Sequence, residues 1–429
     1  MKERVAILFG KRSPFVKAGS LFSSISADDL GARVLRTVLL QSSTNAADID
    51  EVIIGNVAQP SNAANISRVI ALKAGIPDHV PAYSVQRNCA SGMESVSSGI
   101  NKLLADQAAT IVAGGAESMT NIPFLFKPEM KRFFERLMRA RKPLDKAKVF
   151  MSFKFSHLMP VIGLVDGLTD PVCGQIMGTT AENLAKEFKI LRSEQDEYAL
   201  ASHQKACDAM NRGVFREECV SIDVSPRYDQ ICEDDIGPRE DQTIEALQKL
   251  RPYFDRHNGT VTVGNACSIT DGSAMLILKR ESEVKRLGLE PLGYISGYDY
   301  AGLEPHRMGL GPVYATAKLF KKMGMTLKDI DLIEMNEAFA AQIIANVRAF
   351  ESDSFAKEYL GQDKAVGEIN PDIFNVNGGA IALGHPVGVT GTRLILTLLM
   401  ELRRRKLNRG LATLCVGGGQ GGSFIVEVN

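Results

Sequence analysis

ADIDEVIIG (Ala47–Gly55) returns late in the chain as KDIDLIEMN (Lys328–Asn336), and this repetition decides the fold. Two further stretches return in the same order. CASG at Cys89 corresponds to HPVG at His385, each opening a helical pattern, and ATIVAGG (Ala109–Gly115) corresponds to ATLCVGG (Ala412–Gly418). Between them, short apolar runs bounded by glycine alternate with segments of helical spacing, which predicts an α/β sheet with function at its loops. VAILFG (Val5–Gly10) reads as a buried strand and SADDLGARVLRTVLLQ as a helix capped by Ser26. ISRVIALKAGI reads as a helix closed by Gly75, Thr180–Gly213 as two helices with Ser193 as a cap, and TVTVGNACSITDGSAMLILKR as strand. Two similar halves that bring corresponding loops together are expected.

With 429 residues, 45% of them hydrophobic, the chain can bury a core larger than one domain needs. Lys+Arg and Asp+Glu are both 50, so net charge favours no nucleic-acid partner. The seven cysteines are odd in number and lack Cys-x-x-Cys spacing, which argues against a structural zinc site or a disulfide framework. That usage suits a reducing compartment, and with no apolar run long enough to span a membrane the expectation is a cytoplasmic protein.

The glycine-dense pieces carry the chemistry. Cys89 stands at the mouth of a helix, where the dipole and free N–H groups lower a thiol's pKa; the alternative is a buried, inert cysteine. His385, alone among six histidines, lies in a glycine-rich turn, where it can take a thiol proton. Cys415 is a second thiol on exposed, close-approach backbone. Two thiols and one histidine suit acyl transfer coupled to carbon–carbon bond making or breaking. GGGQGG (Gly417–Gly422) lacks the spacing of a nucleotide-binding loop, so an oxyanion hole of backbone N–H groups is its better use. Asn336 is a candidate polar group facing the site, or a cap for the helix that follows.

From Asn121 to about Pro171 the chain turns basic. Met130, Phe133, Phe134, Leu137 and Met138 form an apolar stripe with a cationic opposite face. The stripe fits an anionic membrane surface or a partner protein, or else packing on its own domain with a solvated basic face.

NCASGMES, NEAFA, GHPVGVTG and CVGGGQGG, in this order and within this duplicated frame, closely resemble the thiolase family. GTVTVGNACSITDG and MGTTAENLAKEF extend the resemblance to essentially the whole chain. It implies an α/β thiolase fold: duplicated halves forming a five-layered αβαβα core with an inserted loop domain. The expected division is 1–120 for the N-terminal half, completed by 268–289, then 121–267 for the loop domain and 290–429 for the C-terminal half. The implied reaction is CoA-dependent cleavage of a 3-ketoacyl-CoA, or the reverse condensation, through an acyl-cysteine.

By the same resemblance Cys89 would carry the acyl group, while His385 would activate it and, with Asn336 and a water, stabilise one oxyanion. Cys415 would exchange a proton with the α-carbon, and the N–H groups of Cys89 and Gly417 would form the second oxyanion hole. Arg239 matches a position near the CoA nucleotide, and Phe254, Ala338 and Phe339 match the pantetheine tunnel. Cys267 stands in the CoA site where the family usually has serine, while Ile176 and Ala246 replace a usual histidine and serine. CoA and acyl-CoA would be substrates, with no tightly bound cofactor, in a homodimer or homotetramer. The basic segment 127–155 resembles the loop of fatty-acid-oxidation-complex β-subunits, which implies an α-subunit or a peripheral membrane contact. Asn336 departs from that subfamily, which often has histidine there. The rival readings are a decarboxylating ketoacyl synthase, which has no use for Cys415, and a silent thiolase-like scaffold, which has no use for any of the reactive residues.

Overall fold

The computed structural model describes residues 3–429. The first half builds β1 (Val5–Arg12), α1 (Ala27–Gln41), β2 (Glu51–Gly55), α2 (Ile66–Ala74), β3 (Ala82–Val85), α3 (Ser91–Leu104) and β4 (Thr110–Glu117). Helices α4 (Pro128–Arg139), α5 (Pro143–Met151), α6 (Met177–Glu187) and α7 (Arg192–Asn211) follow before β5 (Thr270–Arg280). The second half runs β6 (Gly293–Gly302), α8 (Gly311–Met323), β7 (Leu332–Met335), α9 (Ala340–Phe350), α10 (Thr390–Arg405), β8 (Arg409–Val416) and β9 (Gln420–Glu427).

The strands repeat one pattern twice. In the first half the order is β1-β5-β4-β2-β3, with β5 antiparallel to both neighbours and β4, β2 and β3 mutually parallel. In the second it is β6-β9-β8-β7, antiparallel twice and then parallel, and a parallel bridge from Ile333 to Phe374 extends the edge. A short antiparallel pairing of Val5–Ile7 with Gly293–Ile295 joins the two.

Each helix buries the face that its sequence makes apolar. Leu30, Val34, Leu35 and Val38 of α1 pack with Ile66 and Ile70 of α2 on one outer side. Val313 and Leu319 of α8 and Ile343 of α9 do so on the other. Between the two sets of strands lie α3 and α10, contributing Met93, Val96 and Ile100 and Leu394, Ile395 and Leu398 to one fully buried cluster. Helix, sheet, helix, sheet, helix: the five layers of the thiolase fold are present.

The middle layer is tight where it matters. A Cβ on Gly92 would stand 2.6 Å from the Thr392 hydroxyl, and one on Gly391 would stand 2.6 Å from the Met93 nitrogen. Only residues without a side chain let the starts of α3 and α10 approach this closely. Cys89 and His385 sit just before those two starts.

Local readings mostly hold. Ser26 Oγ accepts from the Asp29 N–H, and Gly75 ends α2 at φ 93°. Two fail. Helix α7 begins at Arg192 after Leu191, and Glu194 accepts from the Leu191 N–H, so Ser193 is not the cap. Thr260–Val263, for all its alternating β-branched residues, is not a strand, because the Glu182 carboxylate takes the N–H groups of Thr260 and Val261 that a ladder needs.

The segment between β4 and β5 is tied to the first half by Arg12. Its fully buried guanidinium bonds Glu218 at 2.6 Å and both oxygens of Asp235 at 2.7 Å. In the basic part of that segment, Met130, Phe133 and Val149 form a small core between α4 and α5. Leu137 packs against this core, whereas Phe134 and Met138 of the stripe face solvent, Met138 at 78% exposure, as do the neighbouring Leu144 at 77% and Phe155 at 85%.

Candidate active site

Strand β3 delivers Arg87, Asn88 and Cys89 to the start of α3. Asn88 adopts φ 42°, a left-handed conformation that turns the chain sharply. The bend is held on both sides: Ser91 Oγ accepts from the Arg87 N–H at 2.9 Å and donates to the Asn88 carbonyl at 2.7 Å. Asn88 Nδ2 donates to the Gly417 carbonyl at 2.7 Å, fastening the bend to the hairpin turn between β8 and β9. The N–H groups of Gly417 and of Cys89 itself favour the ionised form of the Cys89 sulfur. Gly418 and Gly419 make that turn at φ 89° and 76°, and Met177, at the start of α6, covers it.

His385 enters on the loop between Gly384 and α10. Its Nδ1 lies 2.6 Å from Thr390 Oγ1, whose proton goes to the Pro386 carbonyl at 3.2 Å. With that proton so placed, Nδ1 is the donor and Nε2 keeps a free lone pair. No protein group bonds Nε2. Burial, and secondarily the Arg393 guanidinium, push the His385 pKa down to about 3, so the ring rests neutral.

Cys415 lies on β8, opposite Gly421 of β9, and is buried. Burial pushes its thiol well above the ordinary range, and the neighbouring Cys89 and Cys267 add to the shift. Cys267 is itself pushed up to about 12 by burial and then by Cys89. Three thiols therefore share the site. Asn336 follows β7, its N–H bonded to the Thr413 carbonyl two residues before Cys415. Its side chain is fully buried and no protein group bonds either Oδ1 or Nδ2. The cap reading therefore fails: α9 starts at Ala340 without a side-chain cap. A buried amide left unbonded costs about 1–3 kcal/mol, which a group met during reaction offsets.

One sequence expectation is reversed. The Cys89 thiol is raised, not lowered, because burial outweighs the two N–H groups aimed at its sulfur. The raised thiol and the depressed imidazole are therefore each neutral at rest.

Of the expected CoA contacts, four gather. Ala266 bridges Phe339, the Cys267 N–H donates to the Ala338 carbonyl at 3.0 Å, and the rings of Phe254 and Phe339 meet edge to face at 6.1 Å. Arg239 is exposed, with its N–H on His203 Nδ1, and no contact joins it to the other four. Sequence reasoning missed Thr390, which fixes the His385 tautomer, and Glu337. Glu337 holds the NEAFA loop through Tyr198, Ser202 and Asn375 and the N–H of Ile381. Both stand inside quoted motifs; the partners of Thr390, His385 and Pro386, lie in its own motif, while those of Glu337 come from distant segments.

Two family models match the chain: thiolase, N-terminal domain, over residues 5–282, and thiolase, C-terminal domain, over 289–428. A 3-ketoacyl-CoA thiolase of Yersinia enterocolitica is 40% identical over 427 residues, covering 99% of this chain and 97% of its own. One from Pseudoalteromonas translucida is 39% identical over 426 residues with the same coverage. The crystal structure of Bacillus anthracis acetyl-CoA acetyltransferase superposes with a TM-score of 0.86 at 36% identity, covering 99% of this chain and 98% of that one. Human mitochondrial 3-ketoacyl-CoA thiolase in complex with CoA gives 0.85 at 35%, covering 100% and 98%.

Proposed function

Since this chain belongs to the thiolase family, we infer its chemistry and the work of each residue from that premise. It is an acyltransferase that cleaves a 3-ketoacyl-CoA with CoA to acetyl-CoA and a shortened acyl-CoA, or runs the reverse condensation. Coenzyme A is its substrate, and the proposed cycle needs no resident cofactor.

In the proposed cycle, Cys89 Sγ adds to the 3-keto carbon as its proton passes to His385 Nε2. The C2–C3 bond breaks, its electron pair goes to C2, and Cys415 protonates C2 to release acetyl-CoA. The CoA thiol then gives up its proton to Cys415, attacks the acyl-Cys89 thioester and expels the Cys89 sulfur, which regains its proton from His385. The N–H groups of Cys89 and Gly417 stabilise the oxygen on the carbon bonded to Cys89, while His385 and Asn336, the latter through a water, stabilise the acetyl-CoA enolate oxygen. Phe254, Cys267, Ala338 and Phe339 line the pantetheine path and Arg239 reaches the nucleotide. The observation that carries this reading is the convergence on one sulfur of two backbone donors from opposite halves, with a second thiol beside it. A ketoacyl synthase has no use for that second thiol.

The test is thiolysis by the purified chain, comparing acetoacetyl-CoA with a long-chain 3-ketoacyl-CoA. Cleavage is expected; a strong preference for acetoacetyl-CoA would mark an acetyl-CoA acetyltransferase, and a strong long-chain preference would place the chain in fatty-acid β-oxidation. No cleavage of either would overturn the assignment and leave a silent scaffold.

The seven free cysteines suit the proposed cytoplasmic location, and the proposed homodimer or homotetramer rests on family membership. Among the described residues, no helix is long and apolar enough to cross a membrane. The α4–α5 hairpin is proposed to rest on an anionic lipid surface. Phe126, Met138, Leu144, Met151 and Phe155 are exposed beside Lys131, Arg132, Arg136, Lys142 and Lys146. A basic residue near such a surface contributes about 1 kcal/mol, which salt screens. The chain should therefore sediment with phosphatidylglycerol vesicles at low salt, much less with phosphatidylcholine vesicles, and be released by about 0.5 M salt, roughly threefold above physiological ionic strength. No sedimentation with anionic vesicles would overturn this contact in favour of an α-subunit.

A further inference from the structure

Glu117, the last residue of β4, is fully buried at the seam between the halves. Its carboxylate accepts four hydrogen bonds. Oε1 takes Asn56 Nδ2 and the Ala58 N–H, both at 3.0 Å, and Oε2 takes the Val57 N–H at 2.9 Å and the Gly388 N–H at 3.0 Å. Three donors come from the loop after β2 in the first half. The fourth comes from the His385 loop of the second half.

Gly388 is midway between His385 and Thr390, the residue that holds Nδ1. Its backbone is pressed into the first half from several directions. A Cβ on Gly388 would stand 2.6 Å from Glu117 Oε2, and a Cβ on Gly115 would stand 2.2 Å from the Gly388 carbonyl. With donors on both sides of both oxygens, a carboxyl proton would have to face an N–H, so the bonded arrangement belongs to the ionised form. Burial works against that form and pushes the pKa up to about 7, with Asp271 the nearest carboxylate adding to the shift. The same negative charge contributes to raising the Cys89 thiol.

We propose that Glu117 is a positioning residue for this reaction: it holds the His385 loop of one half in register with Cys89 of the other. The proposal rests on the assignment of Cys89 and His385 made above. Glu117→Gln keeps the shape but turns an amide NH2 toward two of the N–H donors. A misplacement near 1 Å between reacting groups costs about 10²-fold, so kcat should fall by about that factor with KM changed less than about threefold. Alkylation of Cys89 by iodoacetamide, followed by mass spectrometry of its peptide, should begin at lower pH in Glu117→Gln, because a buried negative charge is gone.

Wild-type kcat in Glu117→Gln would overturn the proposal, and so would a loss of activity and melting temperature together with an unmoved alkylation profile. If wild type shows no thiolysis, the functional assignment fails, and the alkylation profile still decides whether Glu117 acts on Cys89. Should Glu117→Gln not fold, Asn56→Ala removes one donor of the four and should lower kcat about tenfold at constant KM. Wild-type kcat there would overturn the proposal equally.

Discussion

Cys89→Ala is expected to lower thiolysis by about 10⁴-fold or more, since the covalent step has no second route. No acyl adduct should appear by mass spectrometry after incubation with acyl-CoA. Two other thiols share the site, but neither can take over. Burial holds Cys267 at about 12 and Cys415 well above the ordinary range. The Gly417 N–H is directed at the Cys89 sulfur alone, and Cys89 stands on the bend that Asn88 and Ser91 hold. An alanine fits that bend, so circular dichroism should be unchanged. Substantial turnover, or an adduct on another cysteine that supports turnover, would sink the assignment of the nucleophile.

Cys415→Ala should separate the two half-reactions. Incubation with an acyl-CoA should still load Cys89, because the change leaves the β8–β9 turn and its backbone donors in place. Carbon–carbon cleavage and condensation should fall by about 10²–10⁴-fold, the usual scale for loss of a proton-transfer group. The neutral thiol at rest is the form that protonates the enolate in thiolysis. Condensation is the reverse of the same proton transfer through the same Cys415 thiolate, so both directions should fall by the same factor in kcat/KM. Unimpaired thiolysis would remove Cys415 from the mechanism.

The alternation of strands and helices and the repeated segments made the duplicated fold legible, because those signals are local and recur. The candidate site residues were legible for a related reason: His385 and Cys415 stand in glycine-dense stretches and Cys89 just before the small residues Ala90, Ser91 and Gly92, compositions which already say that backbone comes close there. Their electrostatics were not. The helix-mouth argument for Cys89 had the right direction for its N–H groups but could not see the desolvation that outweighs them. Glu117 looked like the end of an ordinary strand, since three of its four donors lie about sixty residues away and the fourth far beyond. TVTV failed as a strand for the same reason, its N–H groups being taken by Glu182 from another helix.

The β1 strand has a consequence for synthesis. Its neighbours in the sheet are β5 and the start of β6, both far downstream in the chain. On the ribosome it must therefore wait, apolar and unpaired along both edges, until those two strands have emerged. Cys89 waits longer still, since Gly417 lies beyond β6. The nascent polypeptide thus carries the proposed nucleophile without its Gly417 partner until the β8–β9 hairpin has been made. Such distant pairings make folding slow, and they make chaperone protection of the first half most valuable while the second is unmade.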